Sequence, residues 1–157
     1  MALVHLERVE SDVLAQIRQG IERTLGVERL KRSGTVVLKP NVVSDVPEYI
    51  ANGCNTDLEV IEGVVGCFTE YGWNVIIGES ETGTALKGRH LDRAWEHMGV
   101  YRLQEQYGCK LVNFTYEDKV YMAVPGGRIL PKLEIARVLA EADVVVDLPK
   151  LKTHKYT

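Results

Sequence analysis

The chain has 157 residues, of which 45% are hydrophobic and 26% charged, as is typical of a globular protein with one ordinary core. Its formal charge of −3 gives no general attraction to nucleic acid or to an anionic membrane, so affinity for an anion requires local clusters of basic residues. No apolar run approaches the roughly 20 residues of a membrane-spanning helix, and the first residues do not have the pattern of a signal peptide.

The predicted elements alternate between the period of two residues typical of strands and the period of 3.6 residues typical of helices. The first half predicts a short strand at 4–6, a helix capped by Ser11 and ending at Gly26, a buried strand at 35–39, and a helix capped by Asn55 or Thr56 and ending at Gly72. Gly63 and Gly66 lie inside this second helix, and we expect close packing onto a sheet to explain them.

The second half continues the alternation. It predicts a strand at 73–77, a helical stretch at 90–107 interrupted at Gly99, a strand at 110–114, a hairpin of 120–124 and 128–130, a helix beginning at Pro131, and a buried strand at 143–148. The fold class is therefore α/β: a mostly parallel sheet with helices on both faces, plus a β-hairpin insertion. Residues 1–157 are expected to form a single domain.

The three cysteines, Cys54, Cys67 and Cys109, are odd in number and widely spaced. They match neither a disulfide framework nor a CxxC motif, so we expect reduced thiols in a cytoplasmic setting and assign no metal ligands. Cys67 falls within a predicted helix and is expected to be a core thiol. Cys54 lies near the predicted site and is either a functional thiolate or metal ligand, or incidental.

Ligands of open α/β sheets bind beyond the carboxyl ends of the strands. Three segments of this chain follow predicted strands and are polar: Lys39-Pro40-Asn41, Gly78-Glu79-Ser80, and Pro149-Lys150-Leu151-Lys152-Thr153-His154. The sequence therefore predicts a lysine-rich site at this edge of the sheet.

The last segment is the most informative. If the chain stays extended there, Lys150, Lys152 and His154 project to one side, because side chains of a strand alternate. Two ammonium groups and an imidazole on one face suit a phosphate, a carboxylate or a developing oxyanion. A solvated basic tail explains the same pattern, and Lys39 can equally be a lysine that extends from the sheet end into solvent.

Glu79 and Ser80 could supply a carboxylate and a hydroxyl for proton transfer or for hydrogen bonds to a substrate. An ordinary turn with a capping serine is the alternative. The segment is neither a Walker A loop nor a GxGxxG fingerprint, which argues against ATP or NAD binding by those motifs. His90 and His97 are seven residues apart, and packing or surface exposure explains them better than metal binding.

The series Lys39-Pro40-Asn41, Asn55-Thr56-Asp57, Gly78-Glu79-Ser80 and Leu148-Pro149-Lys150-Leu151-Lys152-Thr153-His154 resembles the domain of unknown function 362 family. The resemblance implies an α/β domain of the bacterial or archaeal cytoplasm. It also implies a ferredoxin-like module or partner that binds [4Fe-4S] clusters, while the family supplies no catalytic roles. Family members normally continue beyond the Lys-Thr-His segment, so this chain is expected to be a fragment truncated at its carboxyl terminus. It also lacks clustered cysteines.

Two functions remain open. The first is a binding or catalytic domain for a small anionic metabolite, working with an iron–sulfur redox module. In it Lys39, Lys150 and Lys152 bind the anion, Asn41 and Ser80 orient it, and Glu79 or His154 moves protons. The second is a non-catalytic module that docks an acidic partner or a cofactor-carrying subunit. Nucleic acid and membrane are not expected partners.

Overall fold

The computed structural model describes residues 3–81 and 89–153. Its strands are β1 (Thr35–Pro40), β2 (Asn74–Glu79), β3 (Lys110–Asn113), β4 (Lys119–Ala123), β5 (Lys132–Ala136) and β6 (Val144–Leu148). Its helices are α1 (Val13–Leu25), α2 (Val27–Leu30), α3 (Pro47–Ala51), α4 (Leu58–Glu70), α5 (His90–Met98), α6 (Tyr101–Tyr107) and α7 (Arg137–Glu141). None of the helices within the described ranges has the length and apolar character needed to cross a membrane.

Four strands form a parallel sheet in the order β3-β2-β1-β6. From β1 the chain moves outward through β2 to β3, whereas β6 pairs on the opposite side of β1. The strand order therefore reverses between β1 and β6, and α/β folds bind ligands in the crevice at such a switch point. The separate hairpin consists of β4 and β5.

The two faces of the sheet bury different cores, which confirms the α/β fold with helices on both faces. Val36 and Leu38 of β1 belong to the larger core, which includes residues of α1 to α6. Val37 lies in a smaller core with Ile76 and Phe114, against which residues of α7 pack. Because α4 and α7 cover opposite faces, the switch point between β1 and β6 is flanked by a helix on each side.

Gly63 and Gly66 of α4 allow close packing against other helices. The prediction that these two glycines pack onto the sheet was therefore wrong. A Cβ atom at Gly63 would lie 2.8 Å from Cδ1 of Ile17 in α1, and one at Gly66 would lie 3.5 Å from the ring of Tyr107 in α6. Helix α1 itself is capped by Asp12 instead of Ser11, since the Asp12 carboxylate accepts the Ala15 N–H at 3.0 Å.

The predicted first strand is also wrong. Residues 3–10 form no strand, and the Leu6 side chain is 95% exposed. Alternating side chains do not make a strand when no neighbouring strand pairs with the backbone. Here the polar backbone groups are bound by a helix side chain instead, because Gln16 donates to the Arg8 carbonyl and accepts the Glu10 N–H.

The region around the hairpin differs from the prediction in its second arm. Strand β4 pairs in antiparallel fashion with β5 at 132–136, so the predicted arm at 128–130 lies in the connection. The predicted helix from Pro131 begins only at Arg137. Leu133 and Ile135 fit the period of two residues of a strand as well as the helical period that was predicted. Pairing of the backbone with β4 stabilises the strand. Within the sheet of the described residues, β6 lies at the edge and Val145 is 49% exposed, so this strand is only half buried there.

Candidate functional site

The crevice between β1 and β6 is closed by a threonine. The Thr56 hydroxyl donates to the Leu148 carbonyl at 2.6 Å and accepts the Asn41 N–H at 2.9 Å. The Thr56 N–H in turn donates to the Asn41 carbonyl at 2.9 Å. The loop before α4 is therefore tied to the ends of both strands at the point where their order reverses.

Two asparagines stabilise the same loop from within. The Asn55 side chain is buried and accepts the N–H groups of Val43 and Ser44 at 2.8 and 3.2 Å. The Asn41 amide donates to the Cys54 carbonyl at 3.0 Å. Asn41, a predicted ligand-orienting residue, thus uses its amide N–H to position the loop. Asn55 was expected only as a possible helix cap, and its role depends on contacts distant in sequence.

Lys150 and Lys152 converge on this loop from the segment after β6. The Lys150 ammonium lies 2.6 Å from a carboxylate oxygen of Asp57, and the Lys152 ammonium donates to the Cys54 carbonyl at 2.9 Å. We call Cys54–Asp57 together with Lys150 and Lys152 the lysine loop. Within the described part of the chain, the Lys152 ammonium has no carboxylate partner.

Lys39 and Glu79 form a separate pair on β1 and β2. The Lys39 ammonium lies 2.9 Å from Oε2 of Glu79, whose side chain is 10% exposed. The other carboxylate oxygen accepts the Ser80 N–H at 2.7 Å, and the Ser80 side chain is exposed. The partner of Lys39 in the register with β6 is Asp147. Acidic groups therefore flank Lys39, whereas the lysine loop holds two ammonium groups and one carboxylate.

His154, a predicted proton-transfer residue, lies outside the described residues. The seven predicted site residues are thus divided in the structure. Three of them, Asn41, Lys150 and Lys152, contact the loop before α4, and Lys39, Glu79 and Ser80 meet at the end of β2.

A buried acid–histidine cluster beyond β2 was missed in the sequence. The Glu81 carboxylate accepts the Leu91 N–H at 3.1 Å and the Asn113 amide at 2.8 Å. The His90 ring lies between two acids, with Nδ1 4.0 Å from Glu81 Oε2 and Nε2 3.7 Å from Asp45 Oδ1. An acidic residue between a strand end and a helix start was the available signal, because carboxylates stabilise helix amino termini.

Asp45 joins this cluster to the loop after β1. Burial raises the pKa of the Asp45 carboxyl. The hydrogen bond that Arg93 Nε donates at 2.7 Å, together with the nearby His90, lowers this pKa by more than burial raises it. The net pKa therefore lies below its ordinary value. His97 also contacts this loop, with Nδ1 2.7 Å from the Asp45 carbonyl oxygen. No group of three or more histidines, cysteines or acids among the described residues is arranged to hold a metal ion.

The cysteines do not fit an iron–sulfur cluster. Such a cluster is held by four cysteine thiolates, or by two cysteines and two histidines in one class. Cys67 lies in α4 and Cys109 directly before β3, and both are buried free thiols, while half-buried Cys54 lies in the lysine loop. Burial raises the pKa of the Cys67 and Cys109 thiols, which disfavours the thiolate form that binds iron.

A protein-family model matches this chain. The family model described as "Domain of unknown function (DUF362)" matches residues 36–157, from β1 through the segment that follows β6. No curated protein and no solved structure gave a significant match.

Proposed function

This chain belongs to the DUF362 family, and we propose that it binds a small anionic metabolite at the lysine loop. The observation that carries the proposal is the convergence of Lys150 and Lys152 on the loop that closes the β1/β6 switch point. Ligands of open α/β sheets occupy this position, and paired ammonium groups suit a phosphate or a carboxylate.

The ion pair between Lys150 and Asp57 does not oppose this function. The Asp57 side chain is 58% exposed, and exposed ion pairs contribute only about 0–1 kcal/mol. A ligand anion can therefore replace the Asp57 carboxylate beside Lys150 at little cost. Lys152 is held by a neutral carbonyl, so its charge is available to the same anion.

If the bound anion is also transformed, Glu79 is the described group best placed to move a proton. Its carboxylate is largely buried and is held by Lys39. Lys39 would then polarise the substrate, Ser80 would orient it through its exposed hydroxyl, and His154 would be a second proton-transfer group. These roles are proposals for the catalytic form of the function.

A second candidate is a module that docks an acidic protein partner. The observation in its favour is Leu151, which lies between the two lysines and is 102% exposed. An exposed leucine flanked by two ammonium groups suits a protein surface better than a small metabolite. A ferredoxin-like partner is one candidate, and the cluster would then belong to that partner. The free cysteines favour a reducing compartment, which we propose is the cytoplasm.

The test uses inorganic phosphate, malonate and citrate as probes in isothermal titration calorimetry. The double variant Lys150→Ala/Lys152→Ala should lose at least about tenfold in affinity for the probe that binds, because both ammonium groups are removed. Lys31→Ala/Lys110→Ala removes the same charge from exposed positions elsewhere and should leave the affinity unchanged. Equal losses in the two variants, or no binding of any probe, would contradict the proposal.

Alkylation of Cys54 provides an independent readout. This thiol is half-buried and adjoins the carbonyl that Lys152 contacts. A bound anion should therefore slow its reaction with iodoacetamide. If instead an acidic protein partner protects Cys54 and no small anion does, the docking function is favoured.

A further inference from the structure

A second concave region lies at the opposite edge of the sheet, where the strands begin. It is a cavity of about 470 Å³, a volume in the usual range for small-molecule sites. Its floor is apolar and its rim is polar. The floor consists of Leu25, Leu30, Phe68, Trp73 and Val144, and the rim of Arg29, Arg32, Ser33 and Asp143.

The floor offers apolar contact from a well-fixed surface. The rings of Phe68 and Trp73 pack edge to face with centroids 5.5 Å apart. The indole N–H of Trp73 donates to the Leu30 carbonyl at 2.6 Å, so the one polar atom of this ring is already satisfied. Leu30 and Phe68 are each only 1% exposed and form the base of this surface. A ligand body therefore contacts mainly the half-buried Leu25 and Val144 and the 9%-exposed Trp73, and gains by removing their apolar surface from water.

The charges of the rim favour an anion. Arg29 and Arg32 are exposed, and within the described residues neither guanidinium has a carboxylate partner. Asp143 is the one acid of the rim, and its carboxylate is held at the start of β1 by the Thr35 N–H at 2.8 Å. The rim thus carries two positive charges and one negative charge. The net charge of one positive unit suits a ligand with a single negative charge.

The backbone at the rim is unusual. Ser33 has a φ of 49° and is, with Arg89, one of two non-glycine residues of the described chain in the left-handed region. Residues held in sparsely populated backbone conformations are enriched at active sites and ligand-binding segments. The turn places Ser33 on the rim directly after Arg32.

We propose that this cavity is a second binding site, for an organic carboxylate with an aromatic or bulky aliphatic body. The arginines bind the carboxylate through their paired N–H donors, and the exposed apolar atoms of the floor, including those of Trp73, contact the body. The site lies at the amino ends of the strands and shares no residue with the lysine loop, so it is independent of the function proposed above.

The test follows the fluorescence of Trp73, one of two tryptophans in the chain, in a Trp95→Phe background. The probes are phenylacetate, acetate, 2-phenylethanol and phenyl phosphate. Acetate lacks the aromatic body and 2-phenylethanol lacks the charge, so each should bind at least tenfold more weakly than phenylacetate. Calorimetry on the chain with both tryptophans intact should give the same order.

The variant Arg29→Gln/Arg32→Gln should bind phenylacetate at least tenfold more weakly. Arg23→Gln/Arg128→Gln is the matched control, since it removes two exposed arginines outside the cavity and should bind normally. Lys150→Ala/Lys152→Ala should also bind phenylacetate normally, which separates this site from the lysine loop.

Four results would overturn the proposal: no binding of phenylacetate, equal binding of acetate or 2-phenylethanol, retained affinity in Arg29→Gln/Arg32→Gln, or an equal loss in either control. Tighter binding of phenyl phosphate than of phenylacetate would overturn the assignment to carboxylates.

Discussion

Glu81 is a single side chain that joins three elements, because its carboxylate lies beyond β2 and binds the first turn of α5 and the end of β3. Its side chain is fully buried. Buried carboxylates need such partners, since the desolvation of an unpaired charge is costly. The cluster with His90 and Asp45 therefore holds in place the edge of the sheet on which the lysine loop lies.

Replacing Glu81 by alanine should lower the free energy of unfolding by about 1–3 kcal/mol, because the Leu91 N–H and the Asn113 amide lose their acceptor. Urea denaturation followed by circular dichroism measures this change. Glu105→Ala, at an exposed position of α6, is the control and should be nearly neutral. Equal effects of the two substitutions would show that the buried hydrogen bonds contribute little.

Asp45 should make the stability depend on pH in the acid range. Its folded-state pKa lies below the ordinary value of 3.8, so the unfolded chain takes up the proton first as the pH falls. The contribution is therefore fully present above pH 3.8 and is lost as the pH falls through the folded-state pKa. The stability difference between the wild type and Asp45→Asn should accordingly shrink between about pH 5 and pH 2. A difference that stays constant over this range would contradict the assignment.

At the scale of elements, the ring of Phe114, the residue that follows β3, packs on β2 so closely at one point that only glycine fits. A Cβ atom at Gly78 would lie 2.2 Å from the ring of Phe114, which is buried in the smaller core. Gly78 directly precedes Glu79, the last residue of β2, whose carboxylate lies beside Lys39.

Gly78→Ala should therefore destabilise the protein by about 1–3 kcal/mol through overpacking. In the double variant Gly78→Ala/Phe114→Leu the smaller side chain leaves room for the new methyl group. The loss should then be smaller than the sum of the two single losses, in a double-mutant cycle measured by thermal unfolding. Additive losses would mean that the contact with Phe114 is not the cause.

At the scale of the whole molecule, Thr56 connects the two halves of the sheet across the switch point. Thr56→Val keeps the shape of the side chain and removes its hydroxyl, which leaves the half-buried Leu148 carbonyl with the Asn41 N–H as its remaining donor in this loop. We expect a loss of about 1–3 kcal/mol in the free energy of unfolding. Thr69→Val is the matched control, because the buried Thr69 hydroxyl has no hydrogen-bond partner among the residues that the structure describes. It should be neutral or stabilising.

Much of the fold could be predicted from local pattern. The alternation of helices with β-branched strands predicted the parallel sheet, and Gly99, in the left-handed conformation with φ of 76°, marks the predicted break between α5 and α6. The failures at 3–10 and 132–136 share a cause. A strand is stabilised by its neighbour, and a period of two or of 3.6 over five residues does not say whether a neighbour is present.

For the site, the sequence by itself determined which residues follow the strands, because the position of a polar residue after a buried run is a local property. Tertiary structure alone decided how these residues are paired. Lys39 is held by Glu79, whereas Lys150 and Lys152 reach the loop before α4. The strand order decides this, since β1 has β2 on one side and β6 on the other. That order depends on backbone pairing between segments up to about a hundred residues apart, and no local pattern records such pairing.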